Sequence, residues 1–224
     1  MSLLANIQAV TFDVGGTLIK PQPSVGHVYA EVAAKNGCKN VSPDALNRQF
    51  AAAWRGMKTF NHRREEWAAL VDKTFAGLVK NPPSATFFPE LYDRFSEPDA
   101  WQVFEDVAST LDYLASRGIN LGIISNWDER LRPLLDRLGL ARYFEVIIVS
   151  CEVGFPKPSP VIFQQAAKKL GVAPQSILHV GDCPKNDAAG AKSAGFAGLL
   201  LDRRREEESE EDIGSLWELE RRLG

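Results

Sequence analysis

The chain has 224 residues, 45% of them apolar, which is enough to bury one good core and a smaller module beside it. Its 26 Lys and Arg residues nearly balance its 29 Asp and Glu residues, and the formal net charge is -3. This balance excludes a global basic field that would recruit nucleic acid or an anionic membrane, so we expect neither partner and predict a small-molecule ligand.

Cysteine usage and hydropathy indicate a cytoplasmic protein. Cys38, Cys151 and Cys183 are an odd number of cysteines with no C-x-x-C spacing, which is typical of neither a disulfide framework nor a structural zinc site. No apolar run approaches the roughly 18 residues that span a bilayer, and the apolar run at 3–5 is too short for a signal peptide. We expect a monomer or a homodimer.

The first predicted strand covers residues 7–13 and ends at Asp13, within the sequence VTFDVGGTL. A short, near-continuous apolar run of this kind is typical of a strand buried on both faces of a parallel sheet. The glycines at positions 15 and 16 then predict a turn.

Residues 20–96 form a segment of different character, without a strand-like run. Their apolar residues recur at helical spacing, as at Trp67, Leu70, Val71 and Phe75, and prolines interrupt the pattern, so about four helices are predicted. The segment is far longer than one crossover between strands requires, which indicates a helical insert.

Strands and helices alternate in the remainder of the chain. Predicted strands cover 119–126, 146–150, 177–182 and 195–201, and predicted helices cover 107–117, 129–138, 159–170 and 186–194. This alternation is the βαβ pattern of an α/β domain with a doubly wound parallel sheet. The charged run RRREEESEED at 203–212 is predicted to be a solvated connector before a final amphipathic helix at 213–223.

Polar residues follow several of the predicted strands, at the sheet edge where α/β proteins bind ligands. Asp13 follows the first strand, Ser125 and Asn126 the second, and Asp182 the fourth, while Lys157 lies in the segment GFPKPSP. Each residue alone has an ordinary structural explanation as a turn former, helix cap or surface charge. Together, clustered carboxylates would repel one another without a cation such as Mg²⁺, and a lysine with a hydroxyl would complete a phosphate site.

These motifs closely resemble the haloacid dehalogenase superfamily, in the branch with a helical cap inserted between the first and second motifs. VTFDVGGTL, LDYLASRGINLGIISNWDERL, YFEVIIVSCEVGFPKPSPVIF and ILHVGDCPKNDAAGAKSAGF stand in the family's order and spacing. The resemblance implies a Rossmann-like core of residues 1–19 and 97–224, with residues 20–96 as the helical cap. It also implies a hydrolase, most simply a phosphatase for a small phosphorylated metabolite.

The resemblance assigns roles to the strand-end residues. Asp13 is expected to be the nucleophile, which attacks phosphorus to give an aspartyl-phosphate. Ser125 and the main-chain amide of Asn126 would hold the phosphoryl oxygens, and Lys157 would neutralise charge on the nucleophile and the phosphoryl group. Thr17 would belong to the substrate-binding loop that follows the first strand.

The resemblance also implies a Mg²⁺ site. Asp13, Asp182 and the main-chain carbonyl of Gly15 would bind the ion. Asp187 would either support this metal site or orient Lys157.

The chain departs from the family's pattern at Gly15. Phosphatases of this family read D-x-D, and the second aspartate protonates the leaving oxygen and then activates water. Glycine cannot transfer a proton, and general acid and base catalysis is typically worth about 10²- to 10⁴-fold. One possible consequence is a substrate whose leaving group needs little protonation, such as an acyl phosphate or a nitrophenyl ester.

Other consequences of Gly15 also stay open. A group from the insert would replace the missing acid, with His27, Glu31, Lys58 and His62 as candidates. Phosphonate-cleaving relatives carry a small residue at this position and use a cap lysine, whereas dehalogenating relatives lack the second aspartate and work without metal. The last alternative is a domain that binds a phosphorylated ligand without turning it over.

A rival interpretation comes from FDVGGT, which is similar to the first phosphate loop of the actin and sugar-kinase fold. In that fold a second strand should follow Thr17 at once and form a hairpin. The sequence Lys20-Pro21-Gln22-Pro23 follows instead, and the later motifs would be unexplained. The motif context therefore disfavours the kinase interpretation.

Overall fold

Strand β1 is a fully buried run of four residues, AVTF, at the centre of a parallel sheet. The computed structural model describes residues 6–57, 60–205 and 212–223. The strands of this described chain are β1 (Ala9–Phe12), β2 (Ile19–Pro21), β3 (Trp101–Val103), β4 (Asn120–Ser125), β5 (Val146–Val149), β6 (Ile177–Gly181), β7 (Ala197–Leu201) and β8 (Asp212–Ile213).

Helices connect most of these strands. The α-helices of the described residues are α1 (Val25–Lys35), α2 (Pro43–Arg55), α3 (Arg64–Phe75), α4 (Phe88–Arg94), α5 (Val107–Ser116), α6 (Leu131–Arg137), α7 (Ser150–Val153), α8 (Pro160–Leu170), α9 (Gly190–Ser193) and α10 (Glu218–Leu223). Short 3-10 turns lie at Pro83–Ala85, Pro98–Ala100, Ala141–Tyr143 and Pro174–Ser176, and a π-helical turn lies at Pro184–Ala189.

The six-stranded sheet has the order β5-β4-β1-β6-β7-β8, and its strand pairs are parallel. Phe12 of β1 pairs with Ile123 of β4 on one side and with Val180 of β6 on the other. Because these three strands run in the same direction and register, their carboxyl ends meet at one edge. The predicted doubly wound α/β fold is confirmed.

The chain divides into two compact units, Met1–Ile19 with Val103–Gly224, and Lys20–Gln102. The second boundary lies after Gln102, beyond the 96–97 division expected from the sequence. The chain first forms the turn Pro98–Ala100 and most of β3 before it enters the first unit again.

The sheet unit has a core of aliphatic and aromatic side chains. Helix α8 packs on β4 and β5, and Phe163 of this helix contacts the rings of His179 and Phe196 edge-on. Ser159 caps the start of α8 by accepting a hydrogen bond from the main-chain N–H of Val161. These contacts fix the helix that follows the Lys157 segment.

The unit Lys20–Gln102 has its own apolar core, which includes Tyr29, Leu46, Phe75, Phe87 and Leu91. Helices α1 to α4 supply most of it, so the predicted helical spacing of this segment is confirmed. Ser24 and Ser42 cap α1 and α2 by accepting hydrogen bonds from main-chain N–H groups.

Some elements differ from the sequence expectation. The short strands β2 and β3 pair with each other in a separate two-stranded sheet, although no strand was expected in either place. Residues 213–223 form the end of β8 and then the short helix α10, because Ile213 adds a parallel pairing to Leu201 before the helix begins. Most of the charged run, residues 206–211, lies outside the described residues.

The strand β2 also bears on the rival kinase interpretation. A strand does follow Thr17, contrary to expectation, but it pairs with β3 rather than forming a hairpin with β1. The neighbours of β1 are β4 and β6, both parallel to it. The hairpin that the kinase fold needs at FDVGGT is therefore not formed.

Candidate active site

Asp13 lies directly after β1, at the sheet edge where the strands β4 and β6 also end. Its main-chain N–H donates to the carbonyl of Val180, which extends the pairing with β6 by one residue. The residue is 8% exposed, and its Oδ1 accepts hydrogen bonds from Ser125 Oγ at 2.9 Å and from Lys157 Nζ at 2.7 Å. Both donors bind Oδ1, so neither of them forms a hydrogen bond with Oδ2.

Lys157 is 4% exposed and donates to three acceptors. Its Nζ lies 2.7 Å from Asp13 Oδ1, 2.6 Å from Asp187 Oδ1 and 2.8 Å from the main-chain carbonyl of Ile124. Burial opposes the charged form, but the two carboxylates outweigh it and raise the pKa of Lys157 above its ordinary value. The lysine is therefore a fixed ammonium group between two carboxylates.

Asp187 lies in the π-helical turn Pro184–Ala189, which follows β6. Its Oδ1 contacts Lys157 Nζ and, at 3.1 Å, His179 Nε2, while its Oδ2 accepts a hydrogen bond from the main-chain N–H of Cys183 at 2.9 Å. Burial opposes ionisation of Asp187, but Lys157 and His179 outweigh it and hold its pKa below the ordinary range. Of the two roles expected for Asp187, this geometry favours the orientation of Lys157.

His179 extends this network into the core. Its Nδ1 lies 3.0 Å from the hydroxyl of Thr11, and the ring is fully buried. Burial lowers the pKa of His179, so the ring is neutral at pH 7. Because the Asp187 carboxylate only accepts, Nε2 carries the proton and Nδ1 accepts from Thr11. Each hydrogen bond of this network thereby has a defined donor, and Asp187 accepts from both His179 and Lys157.

Three carboxylates meet at this edge of the sheet. Oxygen atoms of Asp13, Asp182 and Asp187 lie within 4.8 Å of one another. Asp182 is exposed, but the protein packed around its carboxyl group and the charges of Asp13 and Asp187 raise its pKa to about 7. Burial likewise raises the pKa of Asp13 above its ordinary value, against the opposing effect of Lys157.

This donor set fits a divalent cation. One ammonium group, on Lys157, balances only part of the charge of three carboxylates, and oxygen ligands of this kind suit Mg²⁺. Burial first, and then the charges of Asp13 and Asp187, raise the pKa of Asp182, and a bound cation would favour its ionised form.

The turn after β1 brings the main chain close to Asp182. Gly16 has φ of +81°, and a Cβ atom at this position would collide with the Asp182 carboxylate. The amides of Leu18 and Ile19 both donate to the carbonyl of Val14, which closes the turn. The positive φ favours glycine at position 16, and the missing side chain leaves room for the Asp182 carboxylate.

Thr17 is fully buried in this turn. Its carbonyl accepts a hydrogen bond from Arg203 Nη2 at 2.7 Å, and its hydroxyl has no hydrogen-bond partner within the described part of the chain. Arg203 also forms a two-pronged ion pair with the buried Asp106, at 2.9 and 3.0 Å. The main-chain carbonyl of Thr17 therefore connects this turn to Arg203, while the expected part of Thr17 in a substrate-binding loop stays a prediction.

Asn126 joins two of the loops. Its side-chain nitrogen donates to the carbonyl of Lys157 at 3.0 Å, and its side-chain oxygen accepts from the N–H of Lys157 at 2.7 Å. The Asn126 side chain therefore holds the main chain of the lysine segment, while the expectation for phosphate binding concerns its main-chain amide.

The candidates to replace the missing acid all belong to the unit Lys20–Gln102. His27 and Glu31 lie on α1, where His27 contacts Ser24 and Glu31 pairs with Lys35. His62 is 7% exposed and lies among the rings of Trp54, Phe60 and Trp67. Lys58 lies outside the described residues.

Sequence reasoning missed the residues that support the predicted ones. His179 and Thr11 are buried strand residues, and their positions between apolar neighbours, in ILHVGD and in AVTF, were the only signal available. Asp106, Asp128 and Ser150 are also buried polar residues with defined partners, and the sequence analysis assigned none of them a role.

Comparisons with known proteins identify the family to which the chain belongs. Residues 7–195 match the family model described as haloacid dehalogenase-like hydrolase. The chain is 34% identical over 206 residues to haloacid dehalogenase-like hydrolase domain-containing protein 3 of Homo sapiens, covering 87% of this chain and 82% of that protein. It is 30% identical over 216 residues to a phosphoglycolate phosphatase of Escherichia coli O157:H7, covering 90% and 83% of the two chains.

A solved structure shares the fold at similar coverage. The crystal structure of a HAD phosphatase from Thermococcus onnurineus superposes with a TM-score of 0.70 at 29% identity, covering 97% of this chain and 98% of that one. This fold and site define a class of hydrolases with a doubly wound α/β sheet, whose edge carries an acidic cluster and a lysine. The chain belongs to the haloacid dehalogenase-like hydrolase family.

Among the described residues, no helix combines the length and apolar content that crossing a bilayer requires. Cys38, Cys151 and Cys183 carry free thiols. Burial and nearby acidic groups raise the pKa of the Cys151 thiol to about 11, so it is not a reactive thiolate at neutral pH.

Proposed function

We propose that this hydrolase is a Mg²⁺-dependent phosphatase that acts on a small phosphorylated metabolite through an aspartyl-phosphate on Asp13. The observation that carries the proposal is the arrangement around Asp13, whose Oδ1 is held by Lys157 and Ser125 while oxygens of Asp182 and Asp187 lie within 4.8 Å. The phosphatases among its relatives support the same chemistry.

The first half-reaction uses the oxygen of Asp13 that Lys157 and Ser125 leave free. This Oδ2 attacks phosphorus, a new O–P bond forms, and the bond from phosphorus to the leaving oxygen breaks with its electron pair on that oxygen. Lys157 and the hydroxyl of Ser125, which both contact Asp13 Oδ1, would stabilise the negative charge of the transferring phosphoryl group. Water then attacks the aspartyl-phosphate, releases inorganic phosphate and restores the Asp13 carboxylate.

Mg²⁺ would be held by Asp13, Asp182 and the main-chain carbonyl of Gly15, and it would neutralise phosphoryl charge. Asp187, which holds Lys157 at 2.6 Å, would keep that ammonium group in place. The inserted unit Lys20–Gln102 is proposed as a cap domain that sets substrate choice.

Gly15 restricts the leaving group. No side chain at this position supplies a proton, so the leaving oxygen departs as an anion or takes its proton from water. We therefore expect the best substrates to be acyl phosphates or esters of acidic hydroxyl groups.

The experiment is a hydrolysis screen of the purified chain with Mg²⁺. The panel contains acetyl phosphate, p-nitrophenyl phosphate, 2-phosphoglycolate, a phosphonate and a 2-haloacid. We expect phosphate release from one or more phosphate substrates, its loss with a chelator, and its loss in Asp13→Asn. The matched control is Asp136→Asn, an exposed aspartate of α6, which should keep full activity.

A second candidate function is binding of a phosphorylated ligand without turnover, which the glycine at position 15 favours. Tight binding of a phosphate ester without release of phosphate would favour this binding role. Halide release or C–P cleavage without phosphate-ester hydrolysis would overturn the phosphatase proposal in favour of the dehalogenase-like or phosphonatase-like alternative.

A further inference from the structure

The space beside Gly15 is bordered by an aromatic ring. A Cβ atom built at position 15 would lie 3.2 Å from Cζ3 and 3.9 Å from Cη2 of Trp127, two atoms of the six-membered ring of the indole. The first of these separations is tighter than ordinary van der Waals contact, so the indole borders the space where a side chain at position 15 would begin.

The main chain of Trp127 is held firmly. Its N–H donates to Ser150 Oγ at 3.1 Å, and its carbonyl accepts from Ser150 Oγ at 3.2 Å and from the N–H of Cys151 at 3.2 Å. Ser150 is only 3% exposed. The residues on either side of Trp127 are also fixed, because Asn126 is bound to Lys157 and the buried Asp128 is paired with Arg130.

We propose that Trp127 determines leaving-group specificity by presenting an apolar aromatic surface to the group attached to the leaving oxygen. The inference rests on the proposed function, in which the side chain at position 15 is the one nearest that oxygen. Here the indole borders this space, so the leaving group meets a ring rather than a carboxylate.

Two physical effects then select the same substrates. Without an acid at position 15, an oxygen whose conjugate acid has a pKa near 10, as in a phenol, leaves far more easily than one near about 16, as in water or an alkanol. A flat ring also packs favourably against an indole, with an energy that corresponds to about 2- to 10-fold in affinity. Aryl and enol phosphates are therefore the preferred substrate class over phosphates of aliphatic alcohols.

A binding measurement tests the role of Trp127 independently of catalytic turnover. Phenylphosphonate and methylphosphonate are titrated calorimetrically, with Mg²⁺, into the wild type and into Trp127→Phe and Trp127→Ala. We expect the wild type to prefer phenylphosphonate by about 3- to 10-fold, Trp127→Phe to keep most of this preference, and Trp127→Ala to bind the two ligands equally. Trp217→Ala, which alters a tryptophan that is 47% exposed, is the matched control and should match the wild type.

The outcomes distinguish the role of Trp127 from the proposed phosphatase function. Equal binding of the two phosphonates by the wild type, or an unchanged preference in Trp127→Ala, would overturn the role of Trp127 and leave the phosphatase function intact. If neither phosphonate nor inorganic phosphate binds, the proposed function itself is contradicted, and this inference is overturned with it.

A second test uses the crowding between the two positions. We expect Gly15→Asp alone to gain little turnover of an aliphatic phosphate ester, and Gly15→Asp with Trp127→Ala to gain roughly 100-fold over Trp127→Ala. A full gain from Gly15→Asp alone would show that the indole does not restrict this space, and would contradict the proposal.

Discussion

Lys157 is the residue on which the geometry of the site depends most. Its ammonium group is almost inaccessible to solvent and has an acceptor for each of its three protons, two of them carboxylate oxygens. A buried lysine without such partners would lose its charge, but here the two carboxylates outweigh the cost of burial and raise its pKa. In this state the amine has no free electron pair, so Lys157 acts through its charge and not as a nucleophile.

We predict that Lys157→Met lowers kcat by about 100-fold or more, because Asp13 and the transferring phosphoryl group lose their nearest positive charge. The measurement is steady-state hydrolysis of the best phosphate substrate at saturating Mg²⁺. Lys168→Met, which changes an exposed lysine of α8, controls for loss of a lysine elsewhere and should leave kcat unchanged. Retention of wild-type kcat by Lys157→Met would contradict the electrostatic role.

At the scale of elements, the site consists of loops that follow parallel strands and are connected by hydrogen bonds and ion pairs of side chains. One such connection joins the turn after β1 to the C-terminal part of the chain. Arg203, just after β7, donates to the Thr17 carbonyl and pairs with Asp106, and Asp106 also accepts from the hydroxyl of Ser215 and the N–H of Leu216. Burial opposes ionisation of Asp106, but these donors outweigh it and lower its pKa.

We predict that Asp106→Asn destabilises the protein by about 2–3 kcal/mol at pH 7. A carboxyl group whose pKa is lowered by folding contributes stability above its unfolded pKa of about 3.9 and loses it as the pH falls. The difference in the free energy of unfolding between Asp106→Asn and the wild type should therefore stay constant above about pH 5 and become smaller below about pH 4. Urea unfolding across this range is the measurement, with the exposed Asp112→Asn as control. A difference that grows towards acid pH would contradict the assignment.

The elements and the polar residues that end the strands could be predicted from the sequence for a physical reason. A strand buried on both faces must be almost wholly apolar, so the polar residue that ends it is conspicuous, as with Asp13 and Ser125. Parallel pairing then brings those ends together without further information. The supporting contacts could not be predicted in this way, because His179 with Asp187 and Arg203 with Asp106 depend on side-chain packing between distant segments.

At the scale of the whole molecule, the chain has two units, each with its own apolar core, and the sheet unit carries a cluster of three carboxylates. The net charge of -3 is small, so the excess of carboxylates at the sheet edge is a local feature and not a consequence of composition. A folded protein that carries such a cluster should be stabilised by the cation that neutralises it, because the unfolded chain offers no equivalent site.

We predict that Mg²⁺ raises the melting temperature of the wild type, with a stabilisation of about 2.7 kcal/mol when its concentration is 100-fold above Kd. Asp182→Asn should lose most of this increase, whereas Glu145→Gln, which alters an exposed glutamate before β5, should keep it. Differential scanning fluorimetry with Mg²⁺ and with Na⁺ at equal ionic strength is the measurement. An equal increase in the wild type and Asp182→Asn would show that the ion binds elsewhere.

The central claim is that the Asp13 carboxylate becomes covalently phosphorylated. The most direct measurement is mass spectrometry of the protein after rapid acid quenching during turnover of acetyl phosphate or p-nitrophenyl phosphate, followed by peptide mapping. The predicted result is one added phosphoryl group on the peptide that contains VTFDVGGTL, located on Asp13 and missing in Asp13→Asn. Phosphate release that continues in Asp13→Asn, or a phosphoryl group on another residue, would contradict the account.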